Sequence, residues 1–132
     1  MKLITGVLIN RYAQIIEFED DFDSYENLLD DHNIELYKIQ IQDEKILTAV
    51  CVSQELCQDE DIMVRAVNSV GEDLLYGKLI LVNLDENHKA TPLTDGEINA
   101  IESSLTNYVE TMEDGSEIID ERLNILVCEF VE

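Results

Sequence analysis

Residues 92–112, PLTDGEINAIESSLTNYVETM, decide how the chain is read. Thr94 stands three residues before Glu97, the spacing of a capping box. In that motif the hydroxyl and the carboxylate satisfy free amides of a first helical turn. Ile98, Ile101, Leu105, Tyr108 or Val109, and Met112 then recur at helical spacing. Glu97, Glu102, Glu110 and Glu113 occupy the other side. The pattern predicts one long amphipathic helix, with a face for a core and a negative face for solvent or a partner. Glu113-Asp114-Gly115 would stop it, with Gly115 as a left-handed cap.

Strands are expected on both sides of this helix. Residues 2–9 (KLITGVLI) and 12–18 (YAQIIEF) read as two strands around an Asn10-Arg11 turn. Residues 17–31 carry eight acids and no lysine or arginine. Phe22, Tyr25, Leu28 and Leu29 make that stretch a short helix with one apolar stripe. Residues 34–41 (IELYKIQI) alternate and predict a half-buried strand, paired through Asp43-Glu44 with the more buried 45–52 (KILTAVCV). Residues 53–61 read as a polar loop or single turn, and 62–70 fit a strand or a short helix. Residues 74–84 (LLYGKLILVNL) read as a strand with Gly77 at a bulge or close approach. Residues 116–122 read as a linker and 124–131 (NILVCEFV) as a last strand. The expected class is α+β: a mostly antiparallel sheet of five to six strands, with one long and one short helix packed on it. All 132 residues form one domain.

Net charge is the outlying property. Thirty acidic residues stand against eight basic ones, a net of -22. Such a chain repels phosphates and anionic lipid, so direct binding to nucleic acid or membrane is not expected. No apolar run reaches the roughly 18 residues of a membrane span, and residues 1–9 read as a strand, not a signal peptide. A globule of this length has a diameter of about 36 Å. Duplex DNA carries about 21 charges over that distance, which the net charge of this chain matches.

From about Ile4 to Thr106 the chain resembles a domain-of-unknown-function family of short proteins from phages and conjugative elements of low-GC Gram-positive bacteria. The resemblance is carried by the hairpin ELYKIQIQDEKILTAVCV, the strand LLYGKLILVN with Gly77, and the helix start PLTDGEI, with Leu93, Thr94 and Glu97 in the family's Leu-Thr-x-x-Glu pattern. The family's central Asn-Arg pair is here separated and reordered as Arg65 and Asn68, and residues 107–132 lie outside the match. The resemblance implies a mobile element, a bacterial cytoplasm and a neighbourhood of anti-restriction genes.

Few residues offer catalytic chemistry. Paired acids such as Asp21 and Asp23, or Glu60 and Asp61, need burial to separate their pKa values, and they sit in polar runs. His32 and His88 lack partners at metal-ligand spacing, so they read as surface histidines and no metal or cofactor is expected. Cys51 and Cys128 fall in apolar strands, and Cys57 sits in an acidic loop that disfavours its thiolate. The odd cysteine count suits a reducing compartment. No phosphate loop, nucleophile elbow or basic patch is present. An enzyme is therefore not expected.

What remains is the acidic surface: Glu17, Glu19, Asp20, Asp21, Asp23, Glu26, Asp30 and Asp31; Asp59, Glu60 and Asp61; Glu102, Glu110, Glu113 and Asp114. A solvated face that keeps the chain soluble is the plain reading. The sharper expectation is a non-enzymatic inhibitor, monomer or dimer, whose DNA-like surface blocks a basic nucleic-acid-binding protein, a restriction nuclease or CRISPR effector. Neutralising Asp20, Asp21 and Asp23 should then weaken binding without unfolding the domain. A small ligand-binding domain is the alternative, favoured if Arg65, Lys78 or Arg122 line a pocket. An accessory protein that pairs through exposed strand edges is a third.

Overall fold

The apolar runs become strands, and more of them than the expected five to six. A computed structural model describes residues 3–57, 64–87 and 89–131. In chain order the elements are β1 (Leu3–Ile9), β2 (Ala13–Glu19), α1 (Phe22–Leu29), β3 (Ile34–Gln40), β4 (Ile46–Val52), β5 (Val64–Val67), β6 (Asp73–Tyr76), β7 (Leu79–Leu84), β8 (Ala90–Thr91), α2 (Asp95–Ser103), β9 (Leu105–Thr111), β10 (Glu117–Asn124) and β11 (Val127–Val131). The α+β class and the mostly antiparallel pairing stand. The strands form two sheets, one of seven strands and one of four, and both helices are short.

The larger sheet has the order β11-β3-β4-β7-β1-β2, with β8 paired to β7, and all its pairs are antiparallel. The smaller has the order β6-β5-β10-β9, and β5 with β10 is its parallel pair. Successive side chains of a strand point to opposite faces. Val7, Ile9, Ala49, Cys51, Leu79 and Leu81 therefore meet Ala66, Leu75 and Leu123 of the smaller sheet, together with Ile125 just after β10 and Ala100 and Ile101 of α2. The opposite face, with Ile4, Phe18, Val50, Ile80 and Val82, packs against Leu29, Leu28 and Tyr25 of α1. The larger sheet is thus covered on both sides. Strand β3 is half-buried as read, with Ile34 and Leu36 serving one face and Tyr37 and Ile39 the other.

The capping box forms as read. The Thr94 hydroxyl accepts from Glu97 N and the Glu97 carboxylate from Thr94 N. The helix then ends at Ser103, not Met112. Ser104 is fully buried; its Oγ donates to Ala100 O at 2.8 Å and its backbone N to Ile101 O. Beyond it Thr106, Tyr108, Val109 and Thr111 favour an extended chain. Gly115, at φ 88, stops no helix but turns the β9–β10 hairpin, with the Asp114 carboxylate accepting from Ser116 N. The expected linker 116–122 is most of β10. Gly77, at φ 78, is a crossing point: the single run 74–84 breaks there, β6 entering the smaller sheet and β7 the larger. The short helix begins at Phe22, leaving Glu17 and Glu19 on β2. Residues 54–57 form one 3-10 turn and 64–67 a strand, while 58–63 lie outside the described residues.

Gly6 stands where β1 leaves β7 and Leu93 N bonds Thr5 O. A Cβ there would lie 2.9 Å from the Leu81 carbonyl oxygen and 3.0 Å from the Phe18 ring. The carbonyl is backbone within a paired strand and cannot yield. Gly6→Ala is expected to destabilise the fold by about 1–3 kcal/mol, the usual scale of overpacking. Urea unfolding followed by circular dichroism measures it, and an unchanged midpoint would refute the close approach.

Candidate functional site

The predicted acids fall into separate settings. Glu17 and Glu19 lie on β2, an edge strand. Asp20 and Asp21 form the turn into α1, Asp23 and Glu26 lie on that helix, and Asp30 caps its end at φ 57. Glu102 is in the last turn of α2, Glu110 on β9, and Glu113 and Asp114 in the hairpin turn, so the third group is not one helix face. Asp59, Glu60 and Asp61 lie outside the described residues, as does His88.

Several of these carboxylates already hold structure. Asp21 is the N-cap of α1, accepting from Ser24 N at 2.7 Å, and that bond holds its pKa below the ordinary value. Asp20 accepts from Ala90 N at 2.9 Å and Tyr25 Oη at 3.2 Å, fastening β8 and α1 to the same turn. Burial, and then the Asp20 charge, raises the Tyr25 pKa. Asp31 and Asp114 accept from Asn33 and Ser116, which lowers both their pKa values. Neutralising Asp20 and Asp21 would therefore disturb the fold as well as the charge, contrary to the sequence expectation.

The arrangement that matters joins two stretches far apart in sequence. Residues 12–37 and 90–121 contain no lysine or arginine, and each carries nine acidic residues. The fold lays them together. Ala13, Gln14 and Ile15 of β2 line one groove of about 300 Å³ with Ile98 and Glu102 of α2, Leu105 of β9 and Glu121 of β10. Glu121 Oε1 accepts from Ala13 N at 3.0 Å and Glu121 N donates to Arg11 O at 2.9 Å, so β10 runs against the start of β2. Nearby, Glu19, Asp20 and Asp21 share a depression with Asp85, where Lys89 is the one cation among the described residues that line it. Lys38 lies on β3, while Lys45, in the β3–β4 turn, is near enough to α2 for its charge to act on Glu97. Local acid runs are readable in the sequence; the addition of Glu121 and Asp85 to them is not.

Apolar side chains are exposed along the same edge. Val109 and Ile119 are direct cross-strand partners in the hairpin and are 57% and 41% exposed. Ile15 on β2 is 59% exposed.

A second cluster has the opposite charge. Parallel pairing of β5 with β10 sets Leu123 beside Ala66 in the core, which places Arg122 and Arg65 together on the other face. Asp120, two residues before Arg122, points the same way. Arg65 Nη1 lies 3.7 Å from Asp120 Oδ1 and Arg11 Nε lies 3.3 Å from it. Arg122 stacks on Tyr108, its Cζ 4.2 Å from the ring centroid. Arg11 and Arg65 thus pair with one buried carboxylate, and Arg122 lies near enough for its charge to act on Arg65. Burial lowers the Arg65 pKa; Asp120 opposes this, and Arg122 and Arg11 add to it. Arg65 and Arg122 were candidates from sequence, and Arg11 takes the place given there to Lys78.

Compared with models of known protein families, with curated proteins and with solved structures, the chain finds no match. Its reading rests on its own geometry. Among the described residues no three His, Cys, Asp or Glu side chains are placed to hold a metal ion, and no helix is long and apolar enough to cross a membrane. Cys51 is buried in the core, and burial raises the pKa of Cys128.

Proposed function

We propose that the chain is a non-enzymatic acidic inhibitor from a mobile genetic element. It would present the edge formed by β2, α2 and the β9–β10 hairpin to a basic nucleic-acid-binding protein of host defence, a restriction nuclease or a CRISPR effector. One observation carries this reading: the fold sets the two lysine- and arginine-free stretches side by side. A field of one sign steers an oppositely charged partner and speeds its encounter. Acids needed only for solubility have no reason to fall in two long stretches free of lysine and arginine that the fold brings together. Nor would solubility expose Val109, Ile119 and Ile15 among them, whereas an interface uses such side chains as its buried centre.

The test replaces acids that hold no structure. In Glu17→Gln, Glu102→Gln, Glu110→Gln and Glu113→Gln combined, folding is retained and association slows roughly tenfold or more at low salt. The measurement is inhibition of DNA cleavage, with association rates against salt, over a panel of purified restriction nucleases and CRISPR effectors. No inhibition in the panel, or inhibition that the fourfold variant leaves intact, would overturn the reading. A ligand-binding role has its own support in the arginine cluster, and the two are compatible because they use different groups.

A further inference from the structure

We infer that the cluster of Arg11, Arg65 and Arg122 around Asp120 is a binding site for the phosphate group of a small molecule. It goes beyond the acidic edge and does not depend on it.

The cluster exceeds what fastening strands requires. One arginine facing Asp120 would tie β5 to β10, and the second and third add repulsion. Among the described residues three guanidinium groups stand near one ion-paired carboxylate, an excess of two positive charges in a chain of net charge -22 with only eight basic residues. Among the described residues, Nε and Nη1 of Arg65 and Nε of Arg122 are buried with no hydrogen-bond partner. The Arg65 side chain is only 9% exposed, so these donors are withheld from bulk water. Buried donors left unpaired are costly, and native proteins that keep them use them for a ligand, an ion or an ordered water. Water would satisfy the donors; an oxyanion would satisfy them and offset the excess positive charge as well.

Charge selects the class of oxyanion. A phosphate monoester carries about -1.5 to -2 near neutral pH, which balances the excess of two; a carboxylate balances half of it. Guanidinium donors match phosphate oxygens well. Access is on the side of Arg11, whose side chain is 50% exposed and lies in the turn between β1 and β2. The Arg11 end of this pair is half exposed, so Arg11 can swing from Asp120 to an arriving anion. The negative surface elsewhere keeps long polyanions away, which confines the site to small phosphates.

With three arginines the chain has three arginine Nε–H resonances, one reporter per residue. The intact chain is titrated with inorganic phosphate, adenosine monophosphate and glucose 6-phosphate, and with acetate at equal ionic strength. The Arg65 and Arg122 signals should shift saturably with phosphates and not with acetate. Arg122→Gln should weaken half-saturation roughly tenfold or more, as for a lost hydrogen bond to a charged group. Arg11→Gln should weaken it less. Tighter binding of an ester assigns an esterified ligand, and equal binding assigns the free ion; either supports the site. Shifts that only follow ionic strength, an equal response to acetate, or half-saturation unmoved in both folded variants would overturn it.

Discussion

Asp120→Ala is expected to lower the unfolding free energy by about 3–5 kcal/mol, the range for breaking a buried ion pair from one side. Domains of this kind have roughly 5–15 kcal/mol in all, so the variant stands near the edge of folding. Asp120 is 2% exposed and pairs with both Arg11 and Arg65. Without it Arg65 keeps its charge in a desolvated position with no counter-ion, and the charges of Arg11 and Arg122 bear on it unopposed. Arg65 cannot escape by losing its proton, because guanidinium stays ionised at any ordinary pH. The loss also loosens three elements together, since Asp120 joins β10 to β5 and to the β1–β2 turn. Arg11→Gln provides the contrast. Its half-exposed side chain contributes about 0–1 kcal/mol as a surface pair, so most stability is retained. Urea unfolding at neutral pH, with the slope checked against wild type, gives both values. An Asp120→Ala midpoint equal to that of Arg11→Gln would mean that Arg65 reaches water after all.

How much of this was readable depends on whether the signal was local. The β1–β2 and β3–β4 hairpins lie within runs of apolar residues broken by short polar turns, and they form with the expected partners. The capping box is a local contact between Thr94 and Glu97, and it too was legible. The error over 104–112 came from a coincidence of period. Ile98, Ile101, Leu105, Val109 and Met112 fit a helix, but the last three lie on or just beyond a strand. Composition held the correction: Thr106, Tyr108, Val109 and Thr111 favour a pleated surface, and Asp114-Gly115 is a hairpin signal. Strand β10 was hidden because its buried inward residues are interrupted by charges, one of them the buried Asp120. The arginine cluster could not be read at all. Arg11 and Asp120 are 109 residues apart, and a parallel strand pair brings Arg65 beside Arg122. The acidic runs were visible singly, but their juxtaposition depends on β2 and β10 meeting in space.

Ile101→Ala, set beside Val109→Ala and Met112→Ala, separates the two readings of residues 92–112. Were the helix continuous, the three side chains would share one buried stripe and their removal would cost comparable amounts. In the structure Ile101 is fully buried, and it is the side chain through which α2 grips the core between the sheets. Its truncation is expected to cost about 2–5 kcal/mol, transfer and cavity terms together. Val109 and Met112 are 57% and 41% exposed, so each substitution is expected within about 0.5 kcal/mol of wild type. Denaturant midpoints for the three proteins decide the matter, and equal losses would restore the long helix. Val109 also bears on the proposed function, because a side chain that adds nothing to stability is free to serve a contact. If the hairpin enters an interface, Val109→Ala keeps its midpoint and yet weakens inhibition of the target nuclease. The residue would then act at the centre of the contact, where apolar burial lengthens a complex that the surrounding acids only help to form.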